Sequence, residues 1–266
     1  MLEAPALHKG LKTKRFGRKI YTFETLDSTS NCARAIAACG AAEGSVVIAE
    51  EQTEGRGRRG RQWHSDPGRN LMFSLILRPD VPPEKMNLIP LYAAVALAEA
   101  IQKETDLKVD CKWPNDLLIR GKKIGGILLE GALTRNTIEY LIMGIGLNVN
   151  QEEFPPELSP IATSLKIEAG KELDRVGLFH TLLRTLEERY HSLSALVPES
   201  LVSAWLSRSP MLNKPVSVLQ DGRQMTGIMT GLSKEGGMIL SVDGTDHILH
   251  AGEATILTGP SDASRH

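Results

Sequence analysis

Two strand-like runs flank a loop that decides against the commonest phosphate-binding folds. SVVIAEE and NLMFSLILRP read as β-strands, the second closed by Pro79, and between them lies EGRGRRGRQWHSDPGR. Gly55, Gly57 and Gly60 spell the G-x-G-x-x-G pattern of dinucleotide folds. In those folds a helix starts at the glycines and its N-terminus carries the pyrophosphate. Here the glycines run into Pro67, Gly68 and Asn70, and then into a strand. No Gly-Lys-Ser/Thr ends the glycine stretch, so the P-loop is excluded as well. What remains is a strand, a loop and a strand, with five arginines among the loop's small residues. Glycine lets a backbone approach a ligand closely, and arginine offers a planar, permanently charged fork to phosphate or carboxylate oxygens. A solvated basic loop is the plainer alternative.

The rest of the chain does not share this basic character. Lys and Arg number 31 and Asp and Glu 32, a net charge of −1, whereas a protein built for long nucleic-acid contacts is normally basic. The arginines are a local concentration suited to a small anion. Cys32, Cys39 and Cys111 are odd in number and lack C-x-x-C spacing, so they read as reduced packing residues and no metal site is expected. The seven histidines form no cluster in sequence. The N-terminus has basic residues but no apolar signal core. The longest apolar stretch, Leu88 to Ile101, is too short for a bilayer and contains Glu99. A soluble, cytoplasmic protein without membrane contact is the expectation.

Several elements are legible from local pattern. DSTSNCARAIAACG reads as a capped helix, with Asp27, Ser28 or Thr29 at its start and Gly40 past its end. Asn87 is placed to cap a long helix, LIPLYAAVALAEAIQKE, with Pro90 tolerated in the first turn. VDCKW is a strand stopped by Pro114, LLIRGKKIGGILLEGAL a hairpin turning near Arg120-Gly121, and TIEYLIMGIGLNVN a further strand. Residues 155 to 160 are a proline-rich surface loop, and residues 174 to 207 have helical periodicity. From Asn213 the chain changes to short β-type runs separated by Asp221-Gly222, Gly236-Gly237 and Asp243-Gly244, which predict hairpins and a small β-barrel.

A second cluster accompanies the arginine loop. KWPNDLLIRGKKIGGILLEG places Lys112, Asn115, Asp116 and Lys123 around a hairpin, and Gly125 and Gly126 follow inside an apolar strand. Paired glycines there signal a bulge or a close approach of backbone to a ligand. The bland reading is an Asn-Asp turn with Asp116 paired to a nearby Arg, and simple close packing for the glycines of GIGLNVN.

Taken in order, DST, EEQTEGRGRRGRQWHS, NLMFSLILRP, KWPNDL, KKIGGIL and GIGLNVN resemble the motif set of the biotin protein ligases, over about residues 24 to 150. The resemblance implies a mixed α/β (α+β) fold in which a mixed sheet is flanked by helices, similar to class II aminoacyl-tRNA synthetases, with an SH3-like C-terminal barrel. The expected organisation is an extension at 1–20, a biotin- and ATP-binding catalytic domain at 21–210, the SH3-like domain at 211–260 and a tail at 261–266. The implied reaction turns biotin and ATP, with Mg2+, into biotinyl-5′-AMP and pyrophosphate. The biotinyl group then passes to one lysine of a biotin carboxyl carrier protein of acetyl-CoA carboxylase.

Carried over by motif, Ser28, Thr29 and Ser30 would meet the biotin ring system and Gln52 that end of the pocket, although Ser30 stands where the family often has Asn. Arg56, Gly57 and Arg58 would hold the biotin carboxylate and the adenylate phosphate, which Lys123 also reaches. Trp63 would cover the pocket on the nucleotide side, with Asn148 as a further ATP contact. Gly126 and Gly144 would line the pocket with backbone. Arg58, Lys123, Asn115 and Asp116 are the candidate catalytic set, with Asp116 orienting or deprotonating the acceptor lysine. The arginine loop is expected to be mobile until ligand orders it, because its charges have no obvious built-in partner. Many relatives carry a DNA-binding helix-turn-helix before this region; about 20 residues precede the first family strand here, so no DNA contact is expected, and a homodimer is an open expectation. A lipoate ligase, with the same adenylation logic, and a nucleic-acid-binding module are the competing readings.

Overall fold

The computed structural model describes residues 2–134, 137–194 and 198–257. A seven-stranded mixed sheet forms its centre, in the order β1-β2-β3-β7-β6-β5-β4. The strands are β1 (Ile20–Leu26), β2 (Val46–Gln52), β3 (Leu71–Leu77), β4 (Asp110–Lys112), β5 (Asp116–Ile119), β6 (Lys122–Thr134) and β7 (Thr137–Leu147). β1 and β2 are parallel, joined by the crossover helix α2 (Thr29–Ala38), and the other pairings are antiparallel. Every residue of β3 is buried, which is why its sequence is a continuous apolar run broken only by Ser74. On one face Ile76 packs with Val47, Ile142 and with Ala33 and Ala37 of α2. On the other, Phe73 meets Phe179 edge-on at 5.3 Å. Phe179 belongs to α5 (Arg175–Ser194), which packs beside α3 (Leu88–Thr105). α3 is apolar on nearly every side, and it is the buried core helix such a pattern requires.

Local signals set most element ends. Ser28 caps α2, its side chain accepting from Ser30 N, and Gly40 follows with φ +88°. Arg120 and Gly121 turn the β5–β6 hairpin with φ of 50° and 79°, the paired positive values of a two-residue hairpin turn. Asn87 does not cap α3 through its side chain. A single 3-10 turn, Pro83–Lys85, runs directly into the helix, so Met86 O serves Ile89 N, and Pro90 has no N–H to serve.

Residues 2–20 pack into the main body. Helix α1 (Ala4–His8), not anticipated from sequence, buries Leu7, while Leu2 and Phe16 are also buried. Glu187 of α5 accepts the backbone N–H groups of Lys14, Arg15 and Phe16 at 2.6, 2.5 and 2.7 Å. Further along the chain, α4 (Leu165–Ala169) and α6 (Pro198–Leu206) lead to the C-terminal strands.

Those strands are β8 (Pro215–Gln220), β9 (Arg223–Leu232), β10 (Met238–Val242), β11 (Thr245–Leu249) and β12 (Glu253–Ile256). Asp-Gly turns at 221–222 and 243–244 connect two of the hairpins, all four residues having positive φ. The expected closed barrel is corrected: the strands form an open antiparallel sheet in the order β11-β10-β9-β8-β12. The approach to β12 is drawn toward the large sheet, since Gly252 lies against Trp113 and its carbonyl accepts from Arg58. β12 therefore does not close on β11. Trp113 Nε1 donates to Gly236 O, and Val216, Val218, Met238 and Leu240 join the same apolar cluster as α3. From residue 258 onward, the expected end of the 211–260 module and the tail at 261–266 lie outside the described residues.

Candidate active site

On the pocket-facing side of the large sheet, three neighbouring positions carry no side chain. Gly126 of β6 pairs with Gly146 of β7, and Gly144 of β7 pairs with Ser74 of β3. Alternation on β7 puts Gly144 and Gly146 on one face. A methyl group at Gly146 would sit 2.6 Å from the Trp63 indole, and one at Gly144 would sit 2.7 Å from Ser30 Oγ. The glycines thus leave room for Trp63 to lie flat on the sheet and for Ser30 to point into it.

A bulge brings the lysine to the same face. In β6, Leu117 pairs with Gly125 and Leu118 with Lys123, so Ile124 is the extra residue. The insertion breaks strict alternation and places Lys123 and Gly126 together: a methyl at Gly126 would lie 3.3 Å from Lys123 Nζ. Lys123 Nζ is 2.6 Å from Asp116 Oδ1 and 5.6 Å from the Trp63 ring centre. Lys122 points away, donating to Ser159 O at the surface.

The cavity above this floor, about 520 Å3, is lined by every residue singled out from the sequence as a site candidate. Its two ends differ. At the α2 end, Ser28, Thr29, Ser30 and Ser74 are buried. Gln52 Oε1 accepts from Thr29 N (2.7 Å) and Oγ1 (3.0 Å), Ser74 Oγ donates to Thr29 Oγ1 (2.9 Å), and Ser30 Oγ is 3.1 Å from Ser74 Oγ. At the other end lie Arg58, Arg61, Lys112 and Lys123. Burial, the largest influence, pushes both the Arg58 guanidinium and the Lys112 ammonium below their ordinary values. Asn115 anchors this end: its Nδ2 donates to Ile127 O at 2.7 Å, and its Oδ1 accepts from Arg58 at 3.3 Å. Trp63 Nε1 and Asn148 Oδ1 are buried in the cavity region without a protein partner, a donor and an acceptor left over for a ligand.

The loop arginines have partners, contrary to the sequence expectation. Arg56 binds Glu130 and Asn31, Arg59 donates to Leu219 O, and Arg61 pairs with Glu253. These acceptors lie on α2, β6 and the C-terminal sheet, far away in sequence, so no local pattern announces them. Ser74 was also missed, although one serine inside LMFSLIL was a signal. Lys112 was seen beside the motif but given no role. Among the described residues no group of three or more His, Cys, Asp or Glu side chains could hold a metal ion, and no helix is long and apolar enough to cross a membrane.

Comparison with known proteins places this geometry. The sequence profile of the biotin/lipoate A/B protein ligase family matches residues 23–148. The chain is 45% identical over 183 residues to the bifunctional ligase/repressor BirA of Bacillus subtilis, covering 68% of this chain and 56% of that protein. Against the biotin–[acetyl-CoA-carboxylase] ligase of Mycobacterium tuberculosis it is 33% identical over 271 residues, with 96% and 97% covered. Among solved structures, the biotin protein ligase from Aquifex aeolicus in complex with biotin and ATP superposes with a TM-score of 0.79 at 29% identity, over 90% of this chain and 99% of that one. The chain belongs to the biotin/lipoate A/B protein ligase family, among its biotin protein ligases.

Proposed function

We propose that the protein activates biotin with ATP and transfers the biotinyl group to one lysine of a biotin carboxyl carrier protein, such as that of acetyl-CoA carboxylase. The observation that carries this reading is a single cavity with a buried polar end and a cationic end, joined by a glycine floor. A ureido ring offers donors and an acceptor to Thr29, Ser30 and Gln52, whereas the dithiolane of lipoate offers neither. That contrast, with the Mycobacterium tuberculosis likeness over nearly all of both chains, favours biotin.

In the first step a biotin carboxylate oxygen bonds to the α-phosphorus of ATP and pyrophosphate leaves. Two anions must meet, so the work is charge neutralisation by preorganised groups rather than covalent help from the protein. Arg58 and Lys123 take the carboxylate and the α-phosphate, with the Gly57 backbone close by. Lys112 takes phosphate oxygens further out. Trp63 and Asn148 serve the nucleotide, offering the unpartnered Nε1 donor and Oδ1 acceptor. Magnesium bound to the nucleotide would add further neutralisation of the phosphate charge beside Arg58, Lys112 and Lys123. In the second step the acceptor amine attacks the acyl carbon and AMP leaves. A lysine ammonium, of ordinary pKa about 10.4, must first lose a proton. Asp116, whose Oδ1 lies 2.6 Å from Lys123 Nζ, orients the acceptor amine or receives its proton in this reading.

Incubation with biotin, Mg·ATP and a carrier domain, followed by mass spectrometry, tests the reading. One biotinylated lysine is the expected product. Lipoylation in a parallel reaction, without biotinylation, would overturn it.

A further inference from the structure

The two inner arginines of the loop have opposite surroundings, and the ligase reading above gives that difference a meaning. Arg58 has neutral partners, Asn115 Oδ1 and Gly252 O, each at 3.3 Å, and it forms no carboxylate ion pair among the described residues. Three of the five guanidinium N–H donors of Arg56 are engaged by neighbouring side chains. Its Nη2 donates to Glu130 Oε1 at 2.7 Å, and its Nη1 to Glu130 Oε2 at 3.2 Å and Asn31 Oδ1 at 2.9 Å. Both acceptors are themselves held: Arg34 binds Glu130 Oε2 at 2.9 Å, and Asn31 donates to Asp27 Oδ2 at 2.6 Å. Asp27 O in turn accepts Glu54 N at 2.9 Å, where the loop begins.

We propose that Glu130 is a positioning residue for adenylation: with Asn31 it clamps Arg56, fixing the first limb of the loop so that Gly57 and Arg58 face the ligand. Arg56 is then a latch and not a ligand-binding side chain, which revises the role its motif implies. The two-oxygen, two-nitrogen geometry sets direction as well as distance. An exposed ion pair contributes little to stability, so its loss should appear in loop order and substrate use and not in folding. Through Asn31 and Asp27 the latch also reaches the cap of α2, where Ser28 and Thr29 enter the cavity.

The test is a double-mutant cycle of Arg56→Gln and Glu130→Gln in the full chain, read as biotin-dependent pyrophosphate release, with amide hydrogen exchange of residues 54–62 measured without ligand. Either single change should raise the biotin KM about threefold to fivefold with kcat largely kept. Each should also speed exchange in the loop and leave the rest of the chain protected, and the double variant should be no worse than Arg56→Gln. If Arg56→Gln costs as much in the Glu130→Gln background as in the parent, Arg56 acts on the ligand directly and the proposal fails. Unchanged exchange at 54–62 in Glu130→Gln overturns it as well. The exchange arm needs no substrate, so it tests the latch even if the parent protein fails to release pyrophosphate, a result that would count against the ligase reading instead.

Discussion

The two ends of the cavity are built in different ways. The Ser/Thr end is assembled within a few strands and one helix cap, and its hydroxyls are bonded to one another and buried. The cationic end is assembled from a loop, two strand ends and the edge of the C-terminal sheet, and several of its charges are held by groups nearly 200 residues away, such as Glu253 with Arg61. A buried, mutually satisfied polar nook is stiff, and it suits a ring that must be recognised by shape and hydrogen bonds. Partly exposed ion pairs are weak and exchangeable. They suit the loop of the proposed reaction, which would accept two anions and release pyrophosphate.

The largest effect should come from the cationic end. In the proposed reaction Lys123→Gln removes a preorganised charge from the developing phosphoryl centre, and it should slow adenylation by about 100-fold at saturating ATP, measured as pyrophosphate release. Lys122→Gln, one residue earlier on the opposite face, should change the rate less than about threefold, because its exposed charge is screened. Equal losses would mean that general positive potential matters, and the contrast between the ends would lose its basis.

At the stiff end, Gly144→Ala places a methyl group 2.7 Å from Ser30 Oγ. Relief requires breaking the Ser30–Ser74 contact, so biotin affinity measured by calorimetry should fall by about tenfold, while affinity for ATP alone is kept. An equal fall in ATP affinity would show that the two ends are not separable. The smallest effect belongs to the C-terminal edge. Glu253→Gln loosens Arg61, a largely exposed side chain, and should raise the ATP KM by about threefold at low salt and hardly at all at high salt. A salt-independent change would indicate that Glu253 acts by packing.

The same division governs what could be read in the sequence. The α2 cap at Ser28, the Arg120-Gly121 turn and the Asp-Gly hairpins were legible because the residues that force them are neighbours. The bulge was legible from Gly125-Gly126, although its extra residue proved to be Ile124. Helix α1 was not legible, since the first residues are fixed by Glu50 and Glu187, distant carboxylates that accept their backbone N–H groups. The open form of the C-terminal sheet was hidden for a similar reason. Hairpin signals specify neighbouring strands and say nothing of where β12 is held. In the site, the motif residues came together in one cavity, but the roles of Glu130 and Glu253 had no local signal, because each acts through a partner brought close only by the fold, and Ser74 showed only as the one polar residue in an apolar strand.

The central claim is that one end reads the ring and the other the carboxylate as it is activated. It is tested most directly by titrating biotin and its uncharged amide into the parent protein, Thr29→Val and Lys123→Gln. Thr29→Val should weaken both ligands by the same factor, because both present the same ring. Lys123→Gln should weaken biotin and leave the amide unchanged, because only biotin carries the charge. Lys123→Gln weakening both ligands alike, or Thr29→Val sparing both, would contradict the account.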